Sequence, residues 1–144
     1  MVSRISFITL LLSFFTLFSS TTRKDAITKL EMHLSAFGVE SDDFPSIDVY
    51  IDFINDSSNC HKWYYNPKHK DSTYRLTSAE MKTILSLLET TDLNEIKTTY
   101  KSQMSDQPTS TAIIFAGDRK IVINDYGLQA DDPLKSMYKL VYRF

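Results

Sequence analysis

The stretch covering residues 105–126 constrains the fold more than any other part of the chain. Two runs rich in β-branched residues, 109–116 and 119–125, flank the dipeptide Gly117-Asp118. A two-residue loop that begins with glycine fits a type II′ turn, because glycine takes the required positive φ at little cost. The stretch is therefore predicted to form a β-hairpin.

The turn also sets the register of this hairpin. The predicted pairs are Ala112 with Ile123 and Ile114 with Ile121 on one face, and Ile113 with Val122 and Phe115 with Lys120 on the other. Both faces carry apolar side chains. The hairpin is therefore predicted to lie inside a sheet and to be covered at least partly on both sides.

Four further strands are predicted before the hairpin. Apolar and polar residues alternate over 30–36 and over 47–53, which is typical of half-buried strands. Residues 60–65 and 72–76 are the third and fourth strands. Polar turn residues at 55–59 and an Asn-Pro pair at 66–67 separate these segments.

Two helices complete the fold. Thr77 and Glu80 form a capping-box pattern, and an apolar stripe follows, so a helix is predicted over about 78–89. Asp132 and Pro133 are predicted to begin a closing helix, while 98–108 is predicted to be a polar loop. The fold class is therefore α+β: an antiparallel sheet of about six strands with two main helices on one face, in the order β-β-β-β-α-β-β-α.

Length and composition favour one domain, which we place at residues 27–144. The chain has 144 residues, a formal net charge of −2 and no basic stripe, so neither nucleic acid nor an anionic membrane surface is expected as a partner. Cys60 is the only cysteine. No internal disulfide or Cys-rich zinc site is possible, and Cys60 is predicted to be buried.

Residues 1–22 have the features of a secretory signal peptide. Arg4 supplies a positive charge, an uncharged apolar run covers 5–18, and small residues follow at 19–22. The run is shorter than the about 20 residues that cross a bilayer. A cleaved signal is therefore preferred to a retained anchor, and the mature protein is predicted to reach the periplasm, the cell envelope or the exterior. Contact with a membrane is expected only if the leader is retained.

The loop at 38–46 contains the carboxylates Glu40, Asp42 and Asp43. Carboxylates bind hard cations such as calcium, but the spacing of a calcium-binding hand is missing. A solvated acidic loop is the preferred interpretation, with Asp42 and Asp43 kept as surface candidates for binding.

The aromatic run Trp63-Tyr64-Tyr65 is the most prominent candidate binding surface. On a strand, Trp63 and Tyr65 share one face and Tyr64 takes the other, so at least one of the three is predicted to be core. An exposed aromatic residue on the opposite face, with Trp63 and Tyr64 as candidates, would anchor a protein or a sugar.

Asp125 and Tyr126 precede Gly127 at the end of the hairpin. They are candidates for a site at the end of the strand. The preferred interpretation is that Asp125 hydrogen-bonds a turn and Gly127 provides a positive φ.

The familiar catalytic patterns are missing from the sequence. The three histidines lack metalloprotease spacing, and no phosphate-binding glycine loop or nucleophile elbow is present. Cys60 and His61 are adjacent on a strand and point to opposite faces, which argues against a Cys-His pair. Asp48 and Asp52 are about 13 Å apart along a strand, too far for a glycosidase pair, and are predicted to face solvent. No cofactor and no metal site are predicted.

The segments D-Q-P-T-S-T (106–111) and D-Y-G (125–127), followed by an amphipathic helix, carry a resemblance. With them the chain resembles a family of small exported bacterial proteins, common in the Bacteroidetes, that is a domain of unknown function. The segment L-S-A-F-G-V-E-S-D-D-F-P-S (34–46) is similar to the N-terminal part of one subgroup. The resemblance implies no established activity or site residue.

Two functions remain as hypotheses. The first is a non-enzymatic exported module that binds an envelope protein, a glycan or another macromolecule, with inhibitor or immunity-type roles included. The alternative is a hydrolase whose acidic residues converge only in space, with or without a metal. A deep pocket holding several carboxylates and histidines would favour the enzyme, and a shallow surface with exposed Trp63 or Tyr64 would favour binding.

Overall fold

A computed structural model of the chain describes residues 25–39 and 41–143. The predicted signal peptide and Glu40 lie outside the described residues. The elements are, in chain order, β1 (Ile27–Ser35), β2 (Ser46–Asp52), β3 (Ser57–Trp63), β4 (Ser72–Tyr74), α1 (Ser78–Glu89), β5 (Thr99–Lys101), β6 (Thr109–Ala116), β7 (Arg119–Tyr126) and α2 (Leu134–Val141). The predicted α+β class is confirmed, with one strand more than expected.

The described strands form one sheet in the order β4-β3-β2-β1-β6-β7-β5, and every pair is antiparallel except β5 with β7. The hairpin of β6 and β7 has the predicted register throughout. Gly117 has a φ of +56°, and a Cβ at this position would lie 3.1 Å from the Asp25 side chain. Glycine is therefore favoured at the turn by its conformation, and a larger residue would also press against the Asp25 side chain.

Several strand boundaries differ from the prediction, and β4 ends at Tyr74 rather than at residue 76. Thr99–Lys101, predicted as loop, is strand β5, and three residues are too short to show a periodicity. β1 begins at Ile27 rather than at residue 30. A bulge between Ile27 and Lys29 interrupts the alternation of apolar and polar residues, so the sequence pattern does not show this start. β3 begins at Ser57 rather than Cys60. Ser58 is buried there because its hydroxyl donates a hydrogen bond to the Leu76 carbonyl and accepts one from the Leu76 amide.

The two faces of the sheet differ in their cover. The fully or nearly buried apolar residues of the four central strands share one face: Leu30, Met32, Leu34, Ile47, Val49, Ile51, Ala112, Ile114, Ala116 and Ile123. The buried residues of α1 and α2 belong to the same core, so both helices lie on this covered face, as predicted. The other face, which we call the open face, carries half-buried and exposed side chains.

The prediction that the hairpin is covered at least partly on both sides therefore holds for β6 but not for all of β7. On the open face the side chains of β6 are half-buried, but Val122 of β7 is 39% exposed. No described element lies over this part of the sheet. None of the helices within residues 25–39 and 41–143 has the length and apolar character of a membrane span.

Local chemistry sets the starts of both helices. The Glu80 amide donates to the Thr77 hydroxyl at 3.2 Å, and the Thr77 amide donates to the Glu80 carboxylate at 2.7 Å, which is the predicted capping box. α2 begins at Leu134, one residue later than predicted. Asp132 nevertheless accepts a hydrogen bond from the Ser136 amide at 3.0 Å, a free donor of the first turn.

Candidate functional site

The acidic loop is tied to the connection between β3 and β4. The Asp43 carboxylate accepts from the side-chain amide of Asn66 at 2.8 Å and lies 2.9 Å from His69 Nε2. These hydrogen bonds, above all the one with His69, hold the pKa of Asp43 below its ordinary value. Asp42 is exposed. The loop is thus a hydrogen-bonded surface feature, as expected for solvated acidic residues.

The aromatic run contributes nothing to the buried core, so the prediction that one of its members is core was wrong. β3 ends at Trp63, and the alternation of a strand therefore does not extend through Tyr64 and Tyr65. Trp63 and Tyr64 are half-buried, while Tyr65 is 55% exposed. The rings contact each other and His69: Trp63 lies 5.3 Å from Tyr65, and Tyr64 lies 4.7 Å from His69, between ring centroids.

Asp125, predicted as a surface candidate, is fully buried. Its carboxylate accepts from the Gln129 amide at 2.7 Å, the Ala130 amide at 2.9 Å and the Tyr138 hydroxyl at 2.9 Å. These three donors compensate for the loss of water around the carboxylate, whose burial without partners would cost free energy. Asp125 therefore holds the loop after β7 and the helix α2 in place, which agrees with the turn role rather than with a site.

The two segments that carry the family resemblance meet in the structure. The Gly127 amide donates to the Pro108 carbonyl at 2.8 Å, and the Tyr126 hydroxyl accepts from the Gln107 amide at 3.3 Å. Tyr126, a candidate site residue, is half-buried. These contacts join the two segments to each other as parts of the scaffold.

Buried hydroxyls connect this unit to the closing helix. The Ser110 and Tyr142 hydroxyls are 2.7 Å apart, and the rings of Tyr138 and Tyr142 stack at 5.6 Å. Burial raises the pKa of both tyrosines, and the nearby Asp125 charge adds to the effect. They remain neutral hydrogen-bonding groups in the physiological range.

Cys60 is fully buried on the covered face, as predicted. Burial raises the pKa of its thiol to about 11. A thiol of that pKa carries almost no thiolate near neutral pH, so Cys60 is not a nucleophile.

Asp48 and Asp52 share the open side of β2, but they differ in environment. Asp52, predicted to face solvent, is only 9% exposed and accepts from the Ile54 amide and from both the amide and the side chain of Asn55. It closes the turn between β2 and β3, and these bonds lower its pKa. The side chain of Asp48 is 54% exposed, in agreement with the prediction.

The register of the sheet brings a polar row together on the open face. Neighbouring strands β3, β2, β1 and β6 place His61, Asp48, His33 and Thr111 side by side. His33 Nδ1 lies 2.5 Å from Asp48 Oδ1. The imidazole of His33 is thereby oriented by a carboxylate, and His61 flanks the same carboxylate from the next strand.

A second row lies beside the first on the same four strands: Asn59, Tyr50, Glu31 and Ile113. Tyr50 is 38% exposed, and the Lys29 ammonium lies 5.9 Å from the centre of its ring. Glu31 is half-buried. Within the described part of the chain, no hydrogen bond or ion pair reaches the Glu31 carboxylate.

Together the two rows form the floor of a shallow, open concavity of about 320 Å³, which we call the open-face concavity. Its lining holds two carboxylates and two imidazoles but no lysine or arginine. No cluster of three or more metal-ligating side chains is found in residues 25–39 and 41–143. The arrangement is suited to binding a polar or positively charged group from solvent.

None of the residues that we predicted as site candidates lines this concavity. Glu31, His33, Asp48 and Tyr50 are the polar members of the alternating patterns in β1 and β2, from which only half-buried strands were predicted. The signal was present in that alternation. Locating the concavity requires the pairing of β2 with β1 and β3 and of β1 with β6, which is a long-range property that the alternation alone does not give.

Comparison with known proteins identifies a family. The family model for a domain of unknown function, DUF6438, matches residues 41–144. No curated protein and no solved structure matches the chain. The match covers nearly all of the folded domain, including the hairpin and both helices, and the expectation of a domain of unknown function is confirmed. The chain therefore belongs to the DUF6438 family.

Proposed function

We propose that this protein is an exported, non-enzymatic binding module of the cell envelope that receives a macromolecular partner on the open face of its sheet. One observation carries the proposal. Both helices lie on the covered face, and the open face is left with a concavity lined by hydrogen-bonding side chains and an accessible tyrosine ring. Partially exposed aromatic residues beside polar groups are common where proteins recognise partners.

The geometry supports binding better than catalysis. The Asp125 carboxylate is occupied by hydrogen bonds within the fold, and the Asp43 carboxylate is hydrogen-bonded to Asn66 beside His69. Neither residue lines the open-face concavity. The concavity is open and shallow, whereas enzymes enclose the reacting groups and exclude water. A broad, wet surface of this kind suits a protein partner, including the target of an inhibitor or immunity-type protein.

Comparative affinity capture from envelope extract tests the proposal. The protein, expressed from its full chain, is compared with Asn59→Arg, which adds a long charged side chain at the edge of the concavity. The matched control is Gln103→Arg, which adds the same side chain to an exposed loop elsewhere. We expect one partner to be recovered with wild type and with the control but lost with Asn59→Arg. Equal recovery with all three proteins, or no partner at all, would reject the proposal.

A hydrolase is the second candidate, and the close contact of His33 with Asp48 favours it. A carboxylate that orients an imidazole is a recurring device of general acid–base catalysis. Chromogenic esters, phosphodiesters and glycosides provide the test, with His33→Asn as the comparison. Turnover that disappears in this variant would establish the enzyme and displace the binding proposal, while no turnover in wild type would remove the second candidate.

Export rests on the composition of residues 1–22, which form the proposed signal peptide. We expect the protein recovered from its natural cell to begin near residue 20–23, with the leader removed. Intact-mass measurement on an envelope fraction checks this. A cytoplasmic protein that retains Met1 would contradict it.

A further inference from the structure

Glu31 has an unusual position for a carboxylate. It lies in the middle of β1, one of the central strands, flanked by Tyr50 on one side and Ile113 on the other. It is half-buried, yet no hydrogen bond or ion pair reaches it within residues 25–39 and 41–143. A carboxylate without a partner inside the protein keeps its acceptor oxygens available to a ligand.

The charges around Glu31 favour a positive guest. Glu31 and Asp48 are the two carboxylates of the open-face concavity, and its lining contains no lysine or arginine. His33 engages Oδ1 of Asp48, which leaves Oδ2 without a hydrogen bond among the described residues. Two carboxylates with free acceptor positions would attract a cation and repel phosphate or another anion.

The shapes of the neighbouring side chains favour arginine over lysine. A guanidinium is planar, donates in a fork that matches a carboxylate, and stacks on aromatic rings, whereas an ammonium is compact and more strongly hydrated. Tyr50 offers a partly exposed ring next to Glu31, and Ile113 offers an apolar surface for the stem. The Lys29 ammonium lies 5.9 Å from the centre of the Tyr50 ring, so a guanidinium that stacks on this ring would take the place of that ammonium.

We propose that the open-face concavity binds an arginine side chain presented by a partner protein, with the Glu31 carboxylate as the principal acceptor and Asp48 as the second. This inference rests on the proposed binding function and names the chemistry of the partner. Tyr50 stacks on the guanidinium, and Ile113 contacts the stem of the arginine.

Histidine resonances provide a direct test, because two of the three histidines line the concavity and the third does not. The probe is the blocked tripeptide acetyl-Gly-Arg-Gly-amide. The comparison peptides replace arginine by citrulline, which has a similar shape without the charge, or by lysine. Imidazole nitrogen–proton spectra of the labelled protein are recorded at about pH 8, where histidine side chains are ordinarily neutral.

We expect the arginine peptide to move the His33 and His61 resonances and to leave those of His69, which lies beside Tyr64, unchanged. The variant Glu31→Gln, which keeps the shape of the side chain, should weaken binding by about tenfold or more, since a charge-assisted bond is lost. The matched control Glu95→Gln, at an exposed position outside the concavity, should bind as wild type does.

Several results would overturn the inference. They are equal binding of the citrulline or lysine peptide, unchanged binding by Glu31→Gln, and no shift of the His33 or His61 resonances at millimolar arginine peptide. If one of these occurs while partner capture still depends on position 59, the inference fails and the proposed function stands. If capture fails as well, both fail.

Discussion

Asp125 and Glu31 are two carboxylates on strands of the same sheet, but they differ in burial and in hydrogen bonding. Asp125 points to the covered face, is fully buried and accepts three hydrogen bonds. Glu31 points to the open face, is half-buried and accepts none from the described residues. The first arrangement stabilises the fold, and the second leaves a charge available for a ligand.

The same contrast extends to the surroundings of each residue. On the covered face, the Ser110, Tyr138 and Tyr142 hydroxyls bond within one network, and no buried side-chain polar atom among the described residues lacks a partner. On the open face, His61, Tyr50 and Asn59 line a concavity that solvent can reach. One face therefore supplies stability, and we assign recognition to the other.

The largest expected effect is that of Asp125→Ala. The substitution leaves the Gln129 and Ala130 amides and the Tyr138 hydroxyl without their acceptor inside the protein. We expect the free energy of unfolding to fall by about 3 kcal/mol or more, because unsatisfied buried donors are costly. Urea unfolding followed by fluorescence measures it. A loss below about 1 kcal/mol would show that the carboxylate does not organise the scaffold.

Tyr138→Phe should have an intermediate effect. It removes one of the three donors to Asp125 and keeps the ring that stacks on Tyr142. We expect a loss of about 2 kcal/mol, since the bond is made to a charged group. The matched control is Tyr64→Phe, at a half-buried tyrosine outside the network, and it should be close to neutral. Equal effects of the two substitutions would contradict the special role of the buried network.

Acidification should expose the contribution of Asp52. Its hydrogen bonds with Asn55 and Ile54 lower its pKa in the folded protein, so the carboxylate contributes stability above its ordinary pKa of 3.8. That contribution is lost as the pH falls through this value toward the lower pKa of the folded state. We expect the urea midpoint of Asp52→Asn to decline less steeply than that of wild type over this range. Parallel declines would refute the assignment.

The smallest expected effect on stability is that of Glu31→Gln. Because no described residue pairs with the carboxylate, its neutralisation breaks no hydrogen bond or ion pair. The free energy of unfolding should change by less than about 0.5 kcal/mol or rise slightly. Circular dichroism during urea unfolding checks this. A loss of about 2 kcal/mol would mean that Glu31 is a structural residue, and the comparison with Asp125 would no longer hold.

Much of the fold could be predicted because its strongest signals are local. The Gly117 turn set the register of β6 and β7, and Thr77 with Glu80 set the start of α1. β5 was missed because it is a three-residue strand that exists only through its pairing with β7. Secondary structure of this kind follows from tertiary contacts rather than from periodicity.

The candidate site could not be predicted for a related reason. Its floor combines residues from four strands, and the partners of Glu31 and Asp48 follow from pairings across many residues of chain. Asp125 illustrates the opposite case. It follows Ile121 and Ile123 on the core side of the hairpin, so alternation alone indicates burial. Its three hydrogen-bond donors explain how a carboxylate is accommodated there.

Photo-crosslinking in living cells tests the division between the two faces most directly. A benzoyl-phenylalanine replaces Tyr50 on the open face or, in the matched experiment, the exposed Lys82 on α1. If recognition belongs to the open face, irradiation will attach one protein to position 50 and leave position 82 unmodified. Crosslinks from position 82 alone would contradict that division, because the helical side of the molecule would then be the one that meets the partner.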